Sequence, residues 1–108
     1  MFADCFPRRI NFGDVDGIVE MSSRALLLEW KSLDTDLRYA QRLMMKNLSR
    51  TGVVTGLAVW GNAQNMEVYG MELYRNGIQG NYLRMNMKGL KDYIRRWAAW
   101  ADGLPKAR

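Results

Sequence analysis

Histidine is absent from this chain, and cysteine occurs once, at Cys5. Without histidine there is no Ser-His-Asp triad, no Cys-His dyad and no imidazole metal ligand. With one cysteine there is no zinc ribbon and no intramolecular disulfide. Any metal chemistry falls to carboxylates, whose hard oxygens favour Mg²⁺ or Mn²⁺. The prolines, Pro7 and Pro105, stand near the two ends, and no Pro/Gly/Ser-rich linker or repeat divides the interior. The longest apolar runs, Ala25–Leu28 and Val53–Trp60, fall far short of a membrane span. The first nine residues carry Asp4, Arg8 and Arg9 and no apolar core of a secretory signal. These absences predict a cytoplasmic protein with no membrane partner. At 108 residues, 48% hydrophobic and 25% charged, the chain fits a single globular domain over residues 1–108.

Acidic residues are scarce outside one region. Residues 1–36 hold four basic and seven acidic side chains (4 − 7 = −3), whereas 37–108 hold twelve and four (12 − 4 = +8), giving the net +5. Six of the acids lie between Asp14 and Asp36. A basic body suits nucleic acid, and an acidic focus within it suits a divalent ion set against a phosphate backbone.

The residue pattern predicts the order β-β-α-β-β-β-α, with room for a short strand around Arg8–Ile10 before it. Asn11–Met21 alternates as a strand, Ser22-Ser23-Arg24 turns, and Ala25–Lys31 returns as its antiparallel partner. Asp34 or Thr35 is expected to cap a helix running to about Arg50, with Leu37, Ala40, Met44 and Leu48 on one face and Arg38, Arg42 and Lys46 on another. Val53–Trp60 reads as a buried central strand. Met66–Arg75 and Ile78–Met85 follow, joined by the Asn76-Gly77 turn. A last helix from roughly Met87 to Ala101, capped by Asn86, buries Leu90, Ile94, Trp97 and Ala101. The fold class is mixed α/β, a mixed central sheet flanked by helices.

The chemistry is concentrated in N-F-G-D-V-D-G-I-V-E followed by L-L-L-E-W-K. Period-two geometry puts Glu29 and Lys31 on one side of their strand, about 7 Å apart. Hairpin pairing brings Asp14 or Asp16 alongside. Two carboxylates at that spacing can hold one Mg²⁺, with the Trp30 backbone carbonyl between them as a further oxygen, and Lys31 can act on a water or on transition-state charge. An E-x-K on a strand is also common as a solvated cross-strand ion pair. The D-x-D-G on the preceding strand, the apolar L-L-L and the amphipathic helix that follows set this one apart.

The arrangement resembles the PD-(D/E)XK nuclease superfamily over residues 5 to about 60, and its wording looks like small stand-alone phage-encoded members. Asp16 matches the first acid, Glu29 the (D/E) and Lys31 the lysine. Gln41, in Y-A-Q-R-L, sits where a glutamine recurs in resolvase-like and exonuclease branches. No literal Pro-Asp is present, and D-V-D offers both Asp14 and Asp16; the Asp16-Gly17 pair and the gap to Glu29 favour Asp16, with Asp14 or Glu20 as a second-metal ligand. The resemblance implies a restriction endonuclease-like core and hydrolysis of DNA with Mg²⁺ or Mn²⁺, in the bacterial host cell if the chain is phage-encoded. It implies metal ligation by Asp16, Glu29, the Trp30 carbonyl and Asp14, with Lys31 and Gln41 completing the catalytic set. Endonuclease or exonuclease action, and branched (Holliday junction-like) or linear substrates, both remain open.

Arg8 and Arg9, flanking the site, and Arg38 and Arg42, on the first helix, are expected phosphate contacts. Trp97 and Trp100 read as core and interface packing rather than base-stacking platforms. With only two helices to cover two sheet faces, the apolar end of the last helix (Trp97, Ala98, Trp100, Ala101) predicts a homodimer. The competing function is a non-catalytic DNA-binding or assembly protein that keeps the same fold. A small RNA-binding domain ranks last, since no aromatic RNP pattern is present.

Overall fold

The structure, a computed structural model, describes residues 15–103. The elements follow the expected order: β1 (Gly17–Met21), β2 (Arg24–Lys31), α1 (Tyr39–Ser49), β3 (Val54–Asn62), β4 (Glu67–Arg75), β5 (Ile78–Gln79), β6 (Leu83–Arg84) and α2 (Met87–Asp102). They form one mixed sheet in the order β1-β2-β3-β4, with β5 and β6 both pairing to β4. Among the described strands only β2 and β3 pair in parallel, so the connection between them must cross the sheet, and α1 supplies that crossover. The expected strand around Arg8–Ile10 and the start of the first strand fall outside the described residues.

Alternation along the strands sorts side chains to two faces. One face carries Leu26, Leu57, Val59, Val68 and Met71 and is closed by Leu90, Trp97 and Ala101 of α2. The other carries Ala58, Trp60 and Tyr74 and is closed by Met45 of α1 and by Leu37 just before it. The two helices therefore flank the sheet, one on each side. No described helix is long and apolar enough to cross a membrane.

Two turns and one helix cap follow from residue chemistry. Ser22 and Ser23 both take left-handed φ (52° and 67°), as a two-residue hairpin demands, and Glu20 Oε2 accepts the Ser23 N–H at 2.7 Å. Asn76-Gly77 does the same with φ of 54° and 78°. Its Gly77 N–H donates to the buried Ser49 Oγ at 2.9 Å, which ties the β4–β5 turn to the end of α1. At α2, Asn86 caps as expected, its side chain accepting from Gly89 N–H at 3.0 Å.

Three expectations need correction. First, α1 begins at Tyr39, not beside Asp34 or Thr35. Thr35 is engaged elsewhere, its carbonyl accepting from Trp60 Nε1 at 2.7 Å and its hydroxyl meeting Ser32 Oγ at 2.7 Å, while the cap falls at Arg38. Second, the buried side of α1 is Met45 and Ser49, with Ala40 exposed and Leu48 42% exposed. The helix is turned because Gln41 and Arg42 reach inward to carboxylates on the sheet. Third, the strand expected over Ile78–Met85 splits into β5 and β6. Tyr82 occupies the space above Gly70, where any Cβ would collide with its ring, and packs edge-on against Trp60 with centroids 5.5 Å apart. On α2, Trp97 and Ala101 lie in this chain's own core as expected, 4% and 0% exposed. Beside them Ala98 and Trp100 are partly buried and pack against the same core.

Candidate functional site

Glu29 sits on β2, facing α1, and is 3% exposed. Its strand position makes it the neighbour of Ala58 on β3, and Lys31 the neighbour of Trp60. Lys31, two residues along and so about 7 Å away on the same face, is half-buried and makes no ion pair among the described residues.

Asp16 lies where the chain enters β1 and is bonded twice to β2. Its own N–H donates to the Leu28 carbonyl at 3.1 Å, and its Oδ2 accepts the Trp30 N–H at 2.6 Å. The first acid is thus held beside the residue that separates Glu29 from Lys31. A residue's N–H and C=O project to the same edge of a strand, so the Trp30 carbonyl also opens toward the Asp16 side.

Gln41 completes the group from the opposite direction. The start of α1 brings its side chain over β2, where Nε2 donates to Glu29 Oε2 at 3.4 Å and Oε1 accepts the Arg38 N–H at 3.2 Å. One amide therefore closes the first turn of the helix and meets the buried glutamate. Its two ends cannot be exchanged without placing donor against donor.

Of the residues singled out from sequence, Asp16, Glu29, Trp30, Lys31 and Gln41 come together on three consecutive elements. Asp14, Arg8, Arg9 and Cys5 lie outside the described residues. Arg38 is exposed at the start of α1 and free of ion pairs among the described residues. Arg42 is placed differently from the expectation of a surface phosphate contact: it is an internal cation. Its guanidinium bonds Glu72 Oε1 at 2.9 Å, Tyr74 Oη at 3.5 Å and, through Nε, the Leu37 carbonyl at 3.3 Å.

Glu72 had drawn no attention in the sequence. It is 8% exposed, and its Oε1 also accepts from Tyr74 Oη at 3.0 Å and Gln79 Nε2 at 3.3 Å. A lone acid in the apolar run Val68–Tyr74 was the available signal, since buried carboxylates are rare without a partner. Burial, first, and then the bond to Glu72 push the Tyr74 hydroxyl up to about 12. Beside this network a cleft of about 320 Å³ opens on the α1 face, lined by Leu33, Asp36, Arg42, Trp60, Glu72 and Tyr82.

The donor set can be weighed against a divalent ion directly. No group of three or more Asp, Glu, Cys or His that could hold a metal occurs among the described residues. Asp16 and Glu29 flank Trp30, one bonded to its N–H and the other adjoining it in the chain, so two carboxylates and the Trp30 carbonyl form the available oxygen set. That all-oxygen set suits Mg²⁺, which keeps several of its waters and commonly takes one or two protein carboxylates.

No family model matches the chain, and no curated protein or solved structure is significantly similar to it.

Proposed function

We propose that this chain is a metal-dependent nuclease that hydrolyses phosphodiester bonds in DNA. The observation that supports this reading best is the meeting of Gln41 with Glu29. The helix that follows the E-x-K strand returns its glutamine to the glutamate, while Asp16 is held at Trp30 from the other side. In this reading Asp16, Glu29 and the Trp30 carbonyl hold Mg²⁺ or Mn²⁺. Such an ion, when bound, acidifies a water and neutralises charge on the scissile phosphate.

The chain's own residues do the rest. Burial under α1 removes Glu29 from bulk water, and Gln41 fixes which of its oxygens turns away from the helix. Lys31, unneutralised and on the same face, presents an ammonium where negative charge builds up on the phosphate. Arg38, exposed at the same end of α1, supplies a contact to the backbone of the bound strand, whereas Arg42 is reassigned to holding the helix.

Plasmid, linear and four-way-junction DNA, each incubated with Mg²⁺, Mn²⁺ or EDTA, test the proposal. Cleavage that requires a divalent ion and disappears in Glu29→Gln is the expected result; no cleavage of any substrate with either ion sinks it. A second reading, a non-catalytic DNA-binding protein of the same fold, draws on one observation. The Asp16 carboxylate already spends one oxygen on the Trp30 amide, which is what a purely structural turn would need.

A further inference from the structure

A second constellation lies on the other face and at the opposite end of the sheet. Because β4 runs antiparallel to β3, Arg75 at its end lies near the start of β3, whereas Lys31 pairs with Trp60 towards the far end of that strand. There Arg75, Tyr93, Arg96, Trp97 and Trp100 line a pocket of about 200 Å³ between β4 and α2. We propose that this pocket binds a nucleotide unit, its phosphate on Arg75 and Arg96 and its base against the Trp100–Tyr93 wall.

Three observations converge on that ligand. The Arg75 guanidinium lies over the Trp100 ring, 4.7 Å from its centroid. Stacking of this kind orients the arginine fork while leaving its N–H edge free for a two-point contact with phosphate. Neither Arg75 nor Arg96 has a carboxylate partner among the described residues. Asp92, the acid nearest Arg96 in sequence, is spent elsewhere, pairing with Lys88 at 3.4 Å and Arg95 at 3.1 Å. Two cations at one pocket without a counter-charge repel each other until an anion arrives. Finally, Trp97 is buried on the pocket wall, and its Nε1–H has no acceptor among the described residues. A buried donor without a partner is costly, and it marks this wall as incompletely satisfied in the free protein.

Aromatic walls and arginine forks together select a ring carrying a phosphate rather than a bare anion or a bare ring. Tyr93 shares that field: burial raises its hydroxyl pKa, and the charges of Arg75 and Arg96 oppose the rise. The ligand comes from a single strand of nucleic acid or from a free nucleotide, which present the same chemistry. This inference does not depend on cleavage at Glu29, and the two assays fail separately.

The test uses fluorescein-labelled oligothymidylate, thymidine monophosphate and inorganic phosphate, all titrated in EDTA so that no cleavage intervenes. Arg96→Ala, an exposed and unpaired position, is expected to weaken oligothymidylate binding. It should also make the salt dependence shallower, by about 0.7 in log–log slope for each phosphate no longer neutralised. Trp100→Leu is expected to weaken binding by about fivefold or more, because the stacking surface is removed. Weakening with both the strand and the monophosphate supports the nucleotide unit. Weakening with the strand alone, or the monophosphate alone, supports it and names the source. Weakening in Arg96→Ala but not in Trp100→Leu, or competition by inorganic phosphate as strong as by thymidine monophosphate, overturns the base contact. Unchanged affinity and salt slope in both variants overturn the whole proposal.

Discussion

Glu29 and Glu72 occupy one transverse row of the sheet, separated only by Ala58 on the strand between them. Successive residues of α1 meet the two carboxylates, Gln41 at Glu29 and Arg42 at Glu72. The helix is therefore clamped at two points one residue apart in sequence. The pair at Glu72 carries the formal charge that fixes the helix, and the pair at Glu29 inherits its geometry.

Breaking the ion pair on one side should be expensive. Arg42→Met leaves Glu72 buried with only neutral partners, and a loss of about 3 kcal/mol is expected in urea unfolding. Arg42→Met combined with Glu72→Leu should recover most of that loss. A double variant as unstable as the single one would show that the helix is not held by this pair.

The same network makes stability sensitive to alkali. Tyr74 in the folded chain titrates at about 12 against an ordinary value of 10.0, because it is buried and donates to Glu72. The folded state thus favours the protonated phenol. That contribution is intact below about pH 10 and is lost as pH rises through about 12. Tyr74→Phe should flatten the decline in denaturation midpoint over this window.

At the proposed active site, Lys31→Ala should bind DNA and cleave it about 10²–10⁴-fold more slowly. Gln41→Ala should cost about tenfold, the scale of one hydrogen bond to a charged group. Gel-based cleavage rates alongside anisotropy binding separate the two steps. Lys31→Ala cutting at the normal rate would remove it from the catalytic set.

Metal should stabilise the fold only where the carboxylates are intact. An ion at about 100 times its Kd adds about 2.7 kcal/mol, visible as a rise in melting temperature with Mg²⁺ or Mn²⁺. Glu29→Gln should abolish that rise, and an undiminished rise would place the ion elsewhere.

Much of this was legible in the residues. β2, β3, β4 and α2 follow the apolar spacing, and the hairpin turns follow Ser22-Ser23 and Asn76-Gly77. The placing of Asp16 against Trp30, between Glu29 and Lys31, is also local, because it needs only the β1–β2 hairpin. What could not be read is the rotation of α1. Spacing put Leu48 inward and Arg42 outward, and hydrophobicity alone favours that choice. The carboxylate that reverses it lies 30 positions away at Glu72, and a pairing that distant leaves no trace in local pattern. The inward stripe of α2 was legible, because Leu90, Trp97 and Ala101 follow helical spacing and all three are buried.

The helix can reach both carboxylates only because the strand beneath it is thin. On β3 two of the positions on the α1 face, before Trp60, are Gly56 and Ala58, and a Cβ on Gly56 would lie 3.1 Å from Met45 Sδ. Distant relatives that share this chemistry should therefore keep two small residues, spaced by one, on the parallel strand after the helix, as T-G-L-A-V does here. That G-x-A spacing belongs with the acids in a signature of the proposed site, because a larger side chain at either position would lift α1 away from both carboxylates.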